Sequence, residues 1–361
     1  MVIKIHDPDI GKSEVESAKS VISSHMWSIS DGTGKVANFE KKFKNYTESQ
    51  NCVAVNSGTA ALHLALSLHD VNNKEVIIPS LAYVSVAQVV KYCGGIPVFV
   101  DIDPNTLCMD MNKVEKSITK NTKIIMPVHF AGIPCELDRL NKLVKGTNIE
   151  IIEDAAHAVG SKYNQKKIGS HSNTVCFSFH PVKTLPMLKG GAVTLNGTNI
   201  EKVKNELIAK RCCGISNKNK IKYEVEQLGW NYYMDEVSAA IGIEQLKKIN
   251  QKIKKRNEIA KRYFKEIKLN HKMPFQKDTG YNFYWIIVKN RNRFIKNMAE
   301  KGIETANYHT PIHKLKLFKN KKQLKVTEAI DKKMVIIPCH SSLKEQEVDK
   351  IIKITNQLCE K

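Results

Sequence analysis

The 361-residue chain contains no apolar run approaching the ~18–20 residues a helix needs to cross a bilayer, which excludes a helical membrane protein. Its start, Met1-Val-Ile-Lys-Ile-His-Asp7, holds no apolar signal-peptide core, so a cytoplasmic protein is expected. None of the nine cysteines forms a CxxC pair, and the single close pair, Cys212-Cys213, is vicinal. This points to buried or idle reduced thiols. There is no G-x-S-x-G elbow for a serine nucleophile. His129, His157, His171 and His180 stand in no HxxxH or HExxH spacing, so no metal site is expected. Gly (18) and Pro (11) are not in excess and 42% of residues are hydrophobic, which excludes disorder. A chain of this length buries roughly three quarters of its extended surface and suggests about two domains.

Carboxylates are also scarce, with Asp+Glu 36 against Lys+Arg 57, giving a formal net charge of +21. The basic residues concentrate late: Lys247, Lys248, Lys252, Lys254, Lys255 and Arg256, then Lys319, Lys321 and Lys322. They alternate with apolar residues at helical spacing and have no aromatic-basic motif beside them. A solvated helix face is therefore favoured over a nucleic-acid surface. The charge also raises the local concentration of an anionic substrate.

Short apolar runs alternate with helical patterns from Asn51 to Leu195. The runs are Cys52–Val55, Glu75–Ile78, Pro97–Val100, Lys123–Val128, Ile149–Ile152, Thr174–Phe179 and Ala192–Leu195. Stretches such as Thr59–Leu68, Val84–Tyr92, Met111–Ile118 and Glu136–Val144 read as helices between them. The pattern predicts an α/β fold with a mainly parallel seven-stranded sheet covered by helices on both faces. A long helix runs from Met234 towards Phe264. Strand, helix, strand and helix follow at Phe283–Val288, Phe294–Lys301, Val335–Ile337 and Glu345–Leu358. The expected division is a large domain, residues 1–248, and a smaller α+β domain, residues 249–361.

Three motifs carry chemistry. Asn56-Ser57-Gly58-Thr59-Ala60-Ala61 leaves a strand and opens a helix, where backbone N–H groups and hydroxyls can converge on an anion or form an ordinary N-cap. Ile151-Ile152-Glu153-Asp154-Ala155-Ala156-His157 sets a carboxylate at the carboxyl end of a strand, the edge where parallel sheets bind ligands. Such a carboxylate can hold a proton on a ring nitrogen, or it can cap the next helix. Phe177-Ser178-Phe179-His180-Pro181-Val182-Lys183 leaves another strand. An ammonium enclosed there loses hydration, acquires a lower pKa and becomes a competent Schiff-base nucleophile.

With these motifs in this order, the chain resembles the pyridoxal-phosphate-dependent nucleotide-sugar aminotransferases of the DegT/StrS family, which have the fold type I architecture. The resemblance also rests on Pro79-Ser80-Leu81-Ala82-Tyr83-Val84, Pro97-Val98-Phe99-Val100-Asp101-Ile102-Asp103, Pro127-Val128-His129 and Gly229-Trp230-Asn231-Tyr232-Tyr233-Met234-Asp235-Glu236. It implies pyridoxal 5'-phosphate as cofactor, with Lys183 carrying the internal aldimine and Asp154 paired with the pyridine nitrogen. Tyr83 would stack on the ring and His157 would lie near its phenolic oxygen. Gly58, Thr59 and Ser178 would hold the phosphate, joined by Asn231 of the second subunit in a homodimer with shared active sites. The implied reaction carries an amino group from glutamate to a keto carbon, C4 favoured, of a nucleotide-diphosphate deoxy-sugar. Alternatives are a C3-keto nucleotide sugar, a keto-cyclitol, or a non-catalytic regulator. Lys189, Tyr233 and Cys213 depart from common family residues, and His309 and His313 fall in a segment that lies near substrate in relatives.

Overall fold

The computed structural model describes residues 2–28, 33–218, 222–319 and 323–359, so Lys321 and Lys322 lie outside the described residues. The seven apolar runs form one sheet. Its strands are β1 (Asn51–Val55), β2 (Glu75–Pro79), β3 (Ile96–Val100), β4 (Thr122–Ile125) and β5 (Glu150–Asp154), followed after a two-strand hairpin by β8 (Thr174–Ser178) and β9 (Gly191–Leu195). The hairpin is β6 (Lys162–Tyr163) and β7 (Lys166–Lys167). The order across the sheet is β1-β9-β8-β5-β4-β2-β3. All neighbouring pairs are parallel except those of β9, which runs antiparallel to both β1 and β8. β1, β8 and β9 are buried at every position, as a sheet covered on both faces requires.

Helices α1 (Lys12–Ser23) and α2 (Lys35–Thr47) precede the sheet, and α3 (Gly58–Leu66), α4 (Ser85–Tyr92), α5 (Met111–Glu115) and α6 (Leu137–Val144) connect its strands. After β9 come α7 (Ile200–Arg211), a hairpin of β10 (Ile215–Lys218) and β11 (Tyr223–Val225), and the 31-residue α8 (Glu236–Glu266). Asp235 starts α8 by accepting the Ser238 N–H at 2.7 Å. The rest of the chain adds β12 (Tyr284–Ile287), α9 (Arg291–Glu300), α10 (Lys325–Asp331), β13 (Met334–Ile337) and α11 (Glu345–Cys359), with β12 and β13 antiparallel.

The basic stretch of α8 is not one solvated face. Lys247, Lys254 and Lys255 are exposed, but Lys252 and Arg256 are buried, because their faces of the helix turn inward with Ile249, Ile259 and Ala260. Among the described residues Arg256 has no carboxylate partner. One of its terminal nitrogens donates to the carbonyls of Tyr281 (2.8 Å), Asn282 (3.1 Å) and Cys339 (2.6 Å), tying α8 to the segments on either side of β12 and β13. The chain's start joins this part as well. Ile3 bridges to Ile303, Ile5 N–H donates to Glu304 at 3.0 Å, and the His340 ring contacts the Lys4 carbonyl at 3.1 Å. Replacing Arg256 with Met strands three carbonyls, so Arg256→Met should lower unfolding free energy by ~2–4 kcal/mol in a denaturant titration.

Candidate active site

Topology brings the three motifs to one edge. β1, β5 and β8 end on the same side of the sheet, and β9 returns from there, so residues 179–190 form a loop over the carboxyl edge. That loop carries Lys183, whose N–H closes a turn onto the His180 carbonyl at 2.8 Å. Pro181 and Pro186 restrict it, and Phe179 anchors both of its ends by bonding Gly190 and Met187 at 2.9 Å.

The turn after β1 lies beside the end of β8. Ser57 caps α3, its hydroxyl accepting the Ala60 N–H at 3.1 Å, which leaves the Gly58 and Thr59 N–H groups, among the described residues, as orphan donors of the first turn. A Cβ on Gly58 would stand 2.6 Å from Ser178 Cβ, closer than real side chains approach, so only glycine brings this turn onto β8. Gly191 serves the same approach from β9, where a Cβ would collide with the Ser57 carbonyl. Two free N–H groups, a helix N-terminus and the Ser178 hydroxyl thus meet in a cradle of phosphate chemistry.

Asp154 and Lys183 lie close enough for each charge to act on the other. Burial raises the Asp154 carboxyl above its usual range, while the Ala156 N–H (2.9 Å) and the Lys183 charge pull it back. Burial lowers the Lys183 ammonium to about 8, with Asp154 opposing the shift. Around this pair stand imidazoles held neutral. Burial, and next the Lys183 charge, keep His157 far below the ordinary histidine range, and the same two causes lower His309 to about 3. Burial, then Arg256, then Lys183 lower His6 to about 3. His157 and His309 stack with ring centres 6.2 Å apart and planes within 8°. His157 Nδ1 and His309 Nε2 are buried without a hydrogen-bond partner among the described residues, leaving polar atoms for a bound molecule.

Behind Asp154, Glu153 points to the other face of β5 and is fully buried. Its carboxylate meets His129 Nε2 at 2.7 Å and the Ser172 N–H at 2.9 Å. Burial alone would raise Glu153, but these bonds hold it below the usual range. His129 Nδ1 accepts the Cys135 N–H, so its proton sits on Nε2, facing Glu153. With His129 N–H donating to the Asp154 carbonyl at 3.1 Å, this pair fixes the strand end that presents Asp154.

Not every expected residue converges. Tyr83 is 58% exposed, its ring edge-on to His309 at 5.6 Å. The Asn231 side chain is exposed in its own chain, where only the Asn231 carbonyl approaches the turn, accepting from Asn56 at 3.2 Å. Tyr233 packs on Arg211, 5.0 Å from ring centre to guanidinium, and Lys189 and Cys213 face outward. His313 is buried against Ser80. Sequence reasoning missed His6, Arg256 and His340 near Lys183. Their sequence signal was absent, since they come from the chain's start, α8 and the segment after β13. Among the described residues no group of three His, Cys, Asp or Glu could hold a metal ion.

The residues fit pyridoxal phosphate: an anion cradle, a buried acid for a ring nitrogen, and an amine of lowered pKa. Gly58→Val should therefore abolish tight retention of the cofactor on gel filtration while the protein stays folded by circular dichroism. Because the amine becomes neutral above about pH 8, the rate at which apo-protein captures the aldehyde should rise from pH 7 to pH 9 and then level off, read by absorbance.

Comparison with known proteins finds relatives along nearly the whole chain. Residues 8–356 match the DegT/DnrJ/EryC1/StrS aminotransferase family. The dTDP-3-amino-3,6-dideoxy-alpha-D-galactopyranose transaminase of Aneurinibacillus thermoaerophilus is 33% identical, the match covering 95% of each chain. The UDP-4-amino-4,6-dideoxy-N-acetyl-beta-L-altrosamine transaminase of Campylobacter jejuni is 30% identical over 96% of this chain and 94% of its own. The PLP form of Spr1654 from Streptococcus pneumoniae superposes with a TM-score of 0.93 at 27% identity, covering 100% of this chain and 99% of that one. The chain belongs to the DegT/DnrJ/EryC1/StrS aminotransferase family.

Proposed function

We propose that the protein uses pyridoxal phosphate to move an amino group from glutamate to the C4 keto carbon of a nucleotide-diphosphate deoxy-sugar. The observation that carries this reading is the opposition of Lys183, lowered to about 8, and the enclosed Asp154 beside the Gly58–Ser178 cradle. Bound pyridoxal phosphate supplies an aldehyde that accepts amines and a ring that accepts electrons. The protein's own residues do the rest. Gly58, Thr59 and Ser178 hold the phosphate, and Tyr83 covers the ring. Asp154 keeps a proton on the ring nitrogen, and that positive charge in turn favours the ionised carboxylate. His157 would lie by the phenolic oxygen. The Lys183 amine, tethered within reach, moves the proton between the donor's Cα and the cofactor's C4′ carbon.

The surroundings favour anionic ligands. Around Lys183 the structure gathers imidazoles and Arg256, with Asp154 as the opposing charge on the amine. A dicarboxylate donor and a nucleotide diphosphate both suit such a site. C4 amination is the chemistry in the name of the Campylobacter relative. C3 amination, in the name of the Aneurinibacillus relative, is the second reading, supported by its 33% identity.

The active unit in this reading is a homodimer. Ile10, Val15 and Ile22 of the α1 region are about half exposed and line an apolar groove with Ile241, while Leu228 is 86% exposed. A second copy would cover such surface and deliver its own Asn231 to the cradle. The division at residues 248 and 249 falls inside α8, and we take 249–361 as the part that closes over the sheet edge. Nine free cysteines and the lack of any membrane-spanning helix among the described residues support a cytoplasmic setting.

Glutamate offered with a panel of 4-keto and 3-keto nucleotide sugars should yield amino sugar from a 4-keto member; turnover of 3-keto members alone would select the second reading. Lys183→Ala should not turn over, and Asp154→Asn should keep cofactor but lose about 10²–10⁴-fold in rate. Co-expressed Lys183→Ala and Asn231→Ala chains should recover activity that neither has alone, since one mixed site is then intact.

A further inference from the structure

Ser80 and Asp101 follow the neighbouring strands β2 and β3, where Pro79 lies beside Val100. Both turn their side chains to the C-terminal part of the protein. Ser80 Oγ stands 2.6 Å from His313 Nδ1 and accepts the His313 N–H at 3.2 Å, and the Ser80 carbonyl accepts the Ile312 N–H at 2.9 Å. His313 Nε2 lies 3.4 Å from Glu328 Oε1 on α10. Beside this, Asp101 accepts from the Thr327 N–H and hydroxyl at 2.7 Å each and from the Val326 N–H at 2.9 Å, at the start of α10. The serine–histidine–glutamate chain has the outline of a hydrolytic relay. Ser80 is fully enclosed, however, so no substrate reaches it and it is no nucleophile.

The relay's position gives it another use. Tyr83 lies three residues after Ser80, and His309 lies four residues before His313. Their rings meet edge-on at 5.6 Å, and His309 in turn stacks on His157. Pro311 stiffens the link between His309 and His313. A shift at the relay is therefore passed to both rings through short, restrained segments.

We propose that the Ser80–His313–Glu328 relay, with Asp101, is a clamp that sets the spacing and tilt of Tyr83 and His309 over the active site. His313 is then a positioning residue for the transfer reaction. This rests on the reading above that Tyr83 covers the cofactor ring. The clamp's backbone bonds survive loss of the imidazole, so the site loosens without the fold coming apart. Small misplacements of groups around a reacting centre can cost about 10²-fold in rate.

The test compares wild type, His313→Ala, His313→Asn and Glu328→Ala. Amide hydrogen exchange is measured on the cofactor-free proteins, and cofactor affinity and kinetics on the loaded ones. In His313→Ala, exchange should quicken in both 80–83 and 308–313, and kcat/KM for the keto-sugar should fall about 10–100-fold well below the melting temperature. His313→Asn, whose amide reaches the Nδ1 position, should restore most of both, and Glu328→Ala should lie between. If His313→Ala does not fold, Glu328→Ala, altered at a partly exposed carboxylate, carries the same comparison. Variants that melt earlier but keep wild-type exchange at 80–83 and wild-type kcat/KM would overturn the clamp. If wild type binds no cofactor, the functional reading fails instead, and exchange in the cofactor-free proteins still decides whether the relay couples the two segments.

Discussion

The structure depends on one costly arrangement: an ammonium and a carboxylate enclosed together at the carboxyl edge of a sheet. Enclosure drives both groups toward neutrality, raising Asp154 and lowering Lys183, while their mutual attraction works the other way. Left to itself, such a pair adds little to stability. Its value lies in readiness, because an amine near its neutral form can attack an aldehyde and an enclosed acid gains from a cationic ring. The neighbouring imidazoles are kept uncharged by the same enclosure and by the charges of Lys183 and Arg256, so the positive charge near the pair rests on those two side chains.

Much of the surrounding fold can be read as support for that pair. Glu153 and His129 brace the strand end from the opposite face, so that the alternation of β5 separates a structural acid from a reactive one in consecutive residues. The antiparallel return of β9 makes the loop that holds Lys183 over the edge. Gly58 and Gly191 bring the anion turn within reach because any side chain there would force it away.

The sheet was legible in the sequence because its strands are short, continuous and apolar, and the helix between β1 and β2 carries a clear start. The helices ahead of the first strand were not legible: α1 and α2 lie in charged segments whose apolar positions make sense only against α8. Lysines and arginines on α8 looked alike in sequence, yet burial separates Lys252 and Arg256 from Lys254 and Lys255, a distinction set by what packs opposite each face. Lys183 and Asp154 were visible as strand-end residues. His6, Arg256 and His340 were not, because contacts between distant segments leave no local pattern. Tyr83 and Asn231 were named through family resemblance, and both side chains are exposed in the single chain.

The proposed reaction requires Lys183, and no other of the chain's many lysines, to be the amine that meets the cofactor aldehyde. Borohydride reduction of the cofactor-loaded protein, followed by proteolysis and mass spectrometry, reads this directly. A single phosphopyridoxyl-modified peptide carrying Lys183 is expected; modification at another lysine, or spread over the exposed lysines of α8, would overturn that role for Lys183.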